Sequence, residues 1–329
     1  MFDQVLAPEE LLRRASELVP VLRGRAGQTE ELRRIPDESV RDLLASELHL
    51  IGVPRRFGGL DVDYGLMLEV AALLGSGCAS TSWCYSLWAA HSWLVGYWPL
   101  EAQQDVFGES PDVLLSSSLN QGRSTLEKTD GGFRLSGQWE FSSGSNAASW
   151  VMVGANLPEG LVWLLLPRSD YKVVDTWFVS GLRGTGSNDI VIKDAFVPHH
   201  RSLNRDRAGG EDPNGWVVHQ QGRYRLPALV LLGWDLVAPM IGIAQGMIDE
   251  YTSQLTGTSG PGRTADLDGV QLRLSQSSAE LDAARALMRS DVSETLEMAQ
   301  TGEAFRTLVR ARLRRDKAFI AQLCLSSVN

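Results

Sequence analysis

The amino-acid sequence predicts an α+β protein in three consecutive blocks: a helical domain over residues 1–111, a β-barrel or sandwich domain over 112–213 and a helical bundle over 214–329. Two observations carry this. Apolar residues recur with helical spacing before about residue 110 and again after about 225, while the stretch between holds short apolar runs separated by Gly, Ser, Asp and Asn clusters. The flanking helical runs are also apolar on more than one face, which suits helices with several packed neighbours.

Each element follows from local chemistry. Val40, Leu43, Leu44 and Leu48 fall on one helix face, with Pro36 suited to the helix start and Asp37 and Glu38 to its positive dipole end. The run Val53-Pro54-Arg55-Arg56-Phe57-Gly58-Gly59 breaks the pattern. Helical spacing resumes over Tyr64 to Leu74, and an apolar helix is expected from Ser80 to Tyr97, stopped by Pro99. Trp83, Trp88, Trp93 and Trp98 recur there at every fifth position; such a series either packs a core or walls an aromatic pocket. In the middle block, Val113–Leu115, Phe133–Leu135, Trp150–Val153, Leu161–Leu166, Tyr171–Val174 and Asp189–Ile192 read as strands, and Lys128 to Gly137 as a hairpin turning at Asp130-Gly131-Gly132. A long apolar helix is expected over Leu229 to Leu255, with Pro239 as a kink and Gly242 and Gly246 as points of close approach. Two more helices follow, over 269–301 and 303–328.

Composition narrows the function. Hydrophobic residues make up 43% and charged residues 22%, as in ordinary soluble globular proteins. The net charge of -9 gives no surplus basic face and argues against a nucleic-acid partner. No apolar run of about 18 residues and no secretion signal is read, so the expectation is a cytoplasmic protein without a membrane span. Cys78, Cys84 and Cys324 are expected as reduced, inert thiols, and the five histidines lack zinc spacing, so no metal site is expected.

Four segments, in order along the chain, carry a resemblance. They are the Val53–Gly59 turn; Leu135-Ser136-Gly137-Gln138-Trp139-Glu140-Phe141-Ser142-Ser143-Gly144 with Ala148-Ser149-Trp150; Gly181-Leu182-Arg183-Gly184-Thr185-Gly186-Ser187-Asn188-Asp189 closed by Phe196-Val197-Pro198; and the apolar helix with Gly242-Ile243-Ala244. Together they resemble the acyl-CoA dehydrogenase superfamily over nearly the whole chain. The Trp-x-Phe-Ser-Ser-Gly segment is similar to that of the flavin-dependent monooxygenase branch, such as 4-hydroxyphenylacetate hydroxylase oxygenase and dibenzothiophene monooxygenase. The dehydrogenase element Phe-Gly-x-Pro has no match at Thr258-Ser259-Gly260-Pro261-Gly262-Arg263. An acyl-CoA dehydrogenase with bound FAD is the alternative.

The resemblance implies an oxygenase component that takes reduced FMN or FAD from a separate, diffusing flavin reductase. With O2 it would form a flavin C4a-hydroperoxide and hydroxylate a small aromatic or heteroatom-containing molecule. Such an adduct survives in a dry site that holds flavin N5 by a hydrogen bond, a task a strand-end hydroxyl can perform. Ser143 and Ser142 are the candidates for that contact, with Ser143 preferred, and His91 is a candidate substrate or proton contact. Ser117, Ser118, Trp88 and Arg223 are candidate substrate contacts. Trp139, Phe141, Ser143, Trp177, Arg183, Thr185 and Ser187 are candidate flavin contacts. Related chains assemble as dimers or tetramers. They also continue some tens of residues past the point matching Asn329, with a further helix pair and a histidine near the flavin, so the C-terminal bundle is expected to be incomplete here.

Overall fold

A computed structural model describes residues 6–60, 62–208, 214–257 and 264–329, so the departure at 258–263 lies outside the described residues. Helices α1 (Pro8–Gly24), α2 (Ala26–Leu32), α3 (Asp37–Ala45), α4 (Tyr64–Gly75), α5 (Ala79–Val95) and α6 (Leu100–Phe107) come first. Strands β1 (Leu115–Ser118), β2 (Arg123–Thr129), β3 (Gly132–Ser142), β4 (Trp150–Leu157), β5 (Gly160–Pro167), β6 (Tyr171–Val174), β7 (Asn188–Pro198) and β8 (Ser202–Asn204) follow. The chain then returns to helix in α7 (Arg205–Ala208), α8 (Asn214–His219), α9 (Ala228–Leu231), α10 (Trp234–Gly257), α11 (Asp268–Thr301) and α12 (Thr307–Val328). The helix–strand–helix order matches the expectation. The hairpin does too: Thr129 pairs with Gly132 across the Asp130-Gly131 turn.

The strands form two sheets, ordered β1-β4-β5-β8 and β2-β3-β7-β6, with β1 parallel to β4. Leu135, Trp139, Val151, Val153, Leu164, Leu166, Ile190 and Ile192 fill the space between them. Met152, Trp163 and Leu165 point the other way and join the helical core. The β1-β4-β5-β8 sheet is therefore covered on both faces. This accounts for the unbroken apolar runs of β4 and β5, since a strand buried on both sides has no solvated face to alternate with.

The helical core is centred on α10. By length and composition the stretch Ala228–Thr256 is apolar enough to cross a membrane, contrary to the expectation that no run reaches that length. Its residues Trp234, Val237, Ala238, Ile241 and Ala244 are buried in the core cluster shared with α4 and α5. At Gly242 the α4 backbone comes so near that an added Cβ would overlap the Ala72 carbonyl oxygen. Pro239 does not split the helix, which runs unbroken from Trp234 to Gly257. Pro239 has no N–H to offer the carbonyl of Asp235; Ser86 Oγ of α5 donates to that oxygen instead, at 2.7 Å. The break lies earlier, where Lys317 Nζ of α12 donates to the Val230 and Leu232 carbonyls at 2.8 and 2.9 Å.

Between α11 and α12, burial pushes the Asp291 carboxyl up to about 6, against the pull of Arg312, with Asp316 beside it raising it further. A raised carboxyl stabilises the fold most below its unfolded value near 4, and that contribution fades as pH rises through about 6. Asp291→Asn is therefore expected to gain Tm relative to the parent chain between pH 5 and pH 8. Thermal melts at the two pH values check it, and a gap that stays constant would assign the interaction to packing alone.

Candidate active site

The end of β3 and the turn before β7 meet α5 at a chain of hydroxyls. Ser143 Oγ lies 2.7 Å from Ser187 Oγ, and Ser187 Oγ lies 2.7 Å from Thr185 Oγ1. Thr185 donates its one hydroxyl proton to the Leu182 carbonyl at 2.9 Å. That assignment orders the rest, because each hydroxyl has a single proton. Ser187 donates to Thr185, and Ser143 donates to Ser187. Trp83 Nε1 donates to Ser143 Oγ at 3.3 Å. Ser143, itself buried at 9% exposure, thus points its proton toward Ser187 and keeps one lone pair.

Aromatic rings lie on the segments that flank this hydroxyl in the chain. Phe141 takes φ +65°, a left-handed conformation that costs a side-chain-bearing residue about 1–2 kcal/mol. It coincides with a register shift between Trp139 and Ser142 and leaves Phe141 65% exposed. Phe141 meets Trp177 edge to face at 6.0 Å, and the Trp177 ring is fixed by Nε1 donating to Leu182 O at 3.0 Å. Phe178 is 70% exposed, and Arg183 is exposed as well. Exposed ring faces, an acceptor hydroxyl and a cation together fit a flat, polar-edged ring system that carries phosphate, as a flavin does.

Two turns further along α5 lies a second polar pair. His91 Nδ1 faces the Leu115 carbonyl at 2.8 Å, so Nδ1 carries the proton. Nε2 is then an acceptor and takes the Ser117 hydroxyl proton at 2.9 Å. Burial holds the imidazole down at about 4, so it is neutral near pH 7. Half-buried Ser117 is left with lone pairs only, and a ligand must donate to it. Ser118 donates to the Glu140 carbonyl at 2.9 Å, which ties β1 to the end of β3.

Several expected contacts are placed elsewhere. Trp139 is fully buried between the sheets, its Nε1 donating to Gly154 O at 2.7 Å, so it cannot stack on a ligand outside. Ser142 is sealed, and its Oγ has no hydrogen-bond partner. Thr185 and Ser187 are buried and back Ser143 instead of facing out. Arg223 donates to the carbonyls of Ile51 at 3.1 Å, Val62 at 3.2 Å and Val53 at 3.2 Å, which makes it a brace for the Val53–Gly59 turn, and it lines the cavity of about 550 Å³ along α11 instead of the hydroxyl chain. Trp88 is 2% exposed and lines, with Gly144, Ala147 and Thr185, a cavity of about 20 Å³, too small for an aromatic substrate. Trp93 and Trp98 pack on Tyr64, Tyr97 and Trp163 in the core. Of the four regularly spaced tryptophans, half-buried Trp83 is the one that touches Ser143. Sequence reasoning missed it because a five-residue spacing turns successive side chains by about 140° around a helix. Larger cavities, of about 520 and 550 Å³, run along α11 beside Val62 and Asp63, away from these hydroxyls.

Comparison with known proteins agrees with this architecture. Residues 235–329 match the family model "Acyl-CoA dehydrogenase, C-terminal domain". The chain is 35% identical to the oxygenase component of an FADH(2)-dependent resorcinol hydroxylase from Rhizobium sp. (strain MTP-10005), over 97% of this chain and 82% of that one. It superimposes on the crystal structure of 3-HSA hydroxylase from Rhodococcus sp. RHA1 with a TM-score of 0.92 at 33% identity, covering 97% of this chain and 84% of the other. It superimposes on XiaF from Streptomyces sp. in complex with FADH2 and glycerol with a TM-score of 0.87 at 26% identity, covering 97% and 83%. The ring-lined hydroxyl at the end of β3 thus belongs to an enzyme of known kind: the chain is a member of the oxygenase components of flavin-dependent monooxygenases, built on the acyl-CoA dehydrogenase fold.

Proposed function

We propose that this oxygenase uses reduced FAD, received from a separate flavin reductase, to hydroxylate a small phenol. The choice of FAD over FMN rests on the names of the resorcinol hydroxylase and of the XiaF complex. Reduced flavin, when bound, supplies the electrons and the ring at which dioxygen is activated. The protein supplies placement and a dry, oriented surface. Ser143 accepts the N5 hydrogen with its remaining lone pair, Phe141 and Trp177 flank the ring, and Arg183 meets phosphate. The His91–Ser117 pair receives the phenolic hydroxyl.

One observation carries the substrate class: the fixed His91 tautomer makes Ser117 an obligatory acceptor. A phenol can donate to it, and the corresponding methyl ether cannot. A hydrogen bond worth about 1.4 kcal/mol corresponds to a tenfold difference in affinity. Equilibrium titration of a phenol and its methyl ether is expected to show the phenol bound about tenfold more tightly, with the gap closing in Ser117→Ala. Equal binding of both to the parent protein would remove the pair from recognition.

The same reading takes the chain as cytoplasmic, divided at 1–111, 112–213 and 214–329. It has the chain assembling with copies of itself as a dimer or tetramer. Met247, Tyr251, Leu272 and Leu325, between 46% and 71% exposed on α10, α11 and α12, are apolar side chains that assembly would cover.

A further inference from the structure

The hydroxyl chain ends on a turn that is tied to two helices. Leu182 and Gly186 both take left-handed conformations, at φ +52° and +50°, on either side of the one-turn helix Arg183–Thr185. Beneath it lies Glu30 of α2. Its carboxylate accepts the Arg183 N–H on Oε2 at 3.2 Å and the Gly184 N–H on Oε1 at 3.2 Å. Oε1 also accepts the Ser80 hydroxyl of α5 at 2.8 Å. One carboxylate therefore joins α2, α5 and the turn. The seat is tight: a Cβ at Gly184 would overlap the Thr29 side chain. Arg33, which caps the same end of α2, grips the start of the same excursion through Asp175 Oδ1 at 2.8 Å and the Trp177 carbonyl at 3.1 Å.

We propose that Glu30 is a positioning residue for the oxygenase reaction: by holding the Arg183 and Gly184 amides it fixes Thr185 and Ser187, which in turn aim the Ser143 lone pair outward. The proposal rests on the reading of Ser143 as the flavin-facing acceptor. Physically, a carboxylate accepting two backbone N–H groups and a hydroxyl makes charge-assisted bonds, stronger than neutral ones. Without it the Arg183 and Gly184 amides lose their acceptors; the turn keeps the Thr185 and Trp177 bonds to the Leu182 carbonyl and the Gly144 N–H bond to the Thr185 carbonyl, but its first two residues are no longer tied to α2 and α5.

Two measurements test this. The first needs no cofactor: hydrogen–deuterium exchange of the segment 182–187 in the full chain. Glu30→Ala is expected to exchange about tenfold faster there. Glu30→Gln keeps one acceptor but presents N–H to the other amide, and it is expected to lose protection at one of the two positions. The second is the ratio of hydroxylated product to hydrogen peroxide with reduced FAD, expected to fall about threefold in Glu30→Ala. Because Glu30 acts through Ser143, the double variant with Ser143→Ala is expected to match Ser143→Ala alone. Unchanged exchange, faster exchange with an unchanged ratio, or additive effects in the double variant each overturn the proposal. If Glu30→Ala does not fold, Glu30→Gln decides by the same criteria. A Ser143→Ala variant that keeps the parent ratio overturns the underlying reading itself, whereas a Ser143 effect without a Glu30 effect overturns only the role given to Glu30.

Discussion

Replacing Ser143 with alanine is expected to lower the ratio of hydroxylated product to hydrogen peroxide about tenfold, the change that follows from losing about 1.4 kcal/mol of discrimination. The argument is one of proton counting. Thr185 donates to Leu182, so every hydroxyl before it points its proton inward, and of the three, each left with one lone pair, Ser143 is the least deeply buried. Alanine removes that acceptor and also leaves Trp83 Nε1 without its partner. Ser187→Ala provides a graded control. It takes away the acceptor of the Ser143 proton, so the hydroxyl can rotate and present a donor in place of a lone pair. A smaller loss in the same direction is expected. Peroxide and product yields, measured per reduced flavin oxidised, check both. A parent-like ratio in Ser143→Ala would mean that water exclusion alone protects the reaction.

Gly144→Ala is expected to destabilise the protein by about 2–4 kcal/mol, from about 1–2 kcal/mol of backbone strain plus the cost of overpacking. Gly144 has φ +69°, and a Cβ there would come within 2.5 Å of Trp88 Nε1. Trp88 is almost fully buried and has no room to retreat. The substitution should also shift Ser143, its neighbour in the chain. Thermal or urea unfolding measures the stability cost. A loss below about 0.5 kcal/mol, the range of ordinary surface changes, would show that the indole moves aside.

Much of the fold was legible because hydrophobic period is a local property. The switch from helical to strand spacing near residue 112 marked the β module, and the Asp130-Gly131 turn marked its hairpin. Strand β8, of three residues, is too short to show a period, and its pairing with β5 depends on the tertiary fold. That Pro239 does not split its helix was out of reach for a related reason: the donor that replaces the missing N–H comes from Ser86, far away in the chain. The site was legible in part. The Phe-Ser-Ser-Gly segment falls at the end of β3, and the structure brings Ser143, Thr185 and Ser187 together. It also joins His91 to Ser117. The difference between the two serines, Ser142 sealed and Ser143 bonded to Trp83 and Ser187, goes with a register shift and a left-handed Phe141, neither of which a spacing rule reveals. Arg223 looked available because an arginine at a helix boundary is usually solvated; its carbonyl partners are contributed by residues some 170 positions earlier. Glu30 had no signal at all, since one glutamate in an exposed amphipathic helix resembles its neighbours.

Trp83 and His91 stand on one helix, eight residues apart, about 12 Å at 1.5 Å per residue. That rod is pinned at Ser86 to the centre of the bundle and buried along most of its length. A stiff spacer of this sort acts as a gauge. The helix touches both proposed contact points, Ser143 through Trp83 and Ser117 through His91, so helical rise sets the spacing of the two side chains that back them. On the proposed reading, the carbon that receives oxygen is therefore chosen by where it falls along a fixed length, and changing that choice would take a longer or shorter ligand.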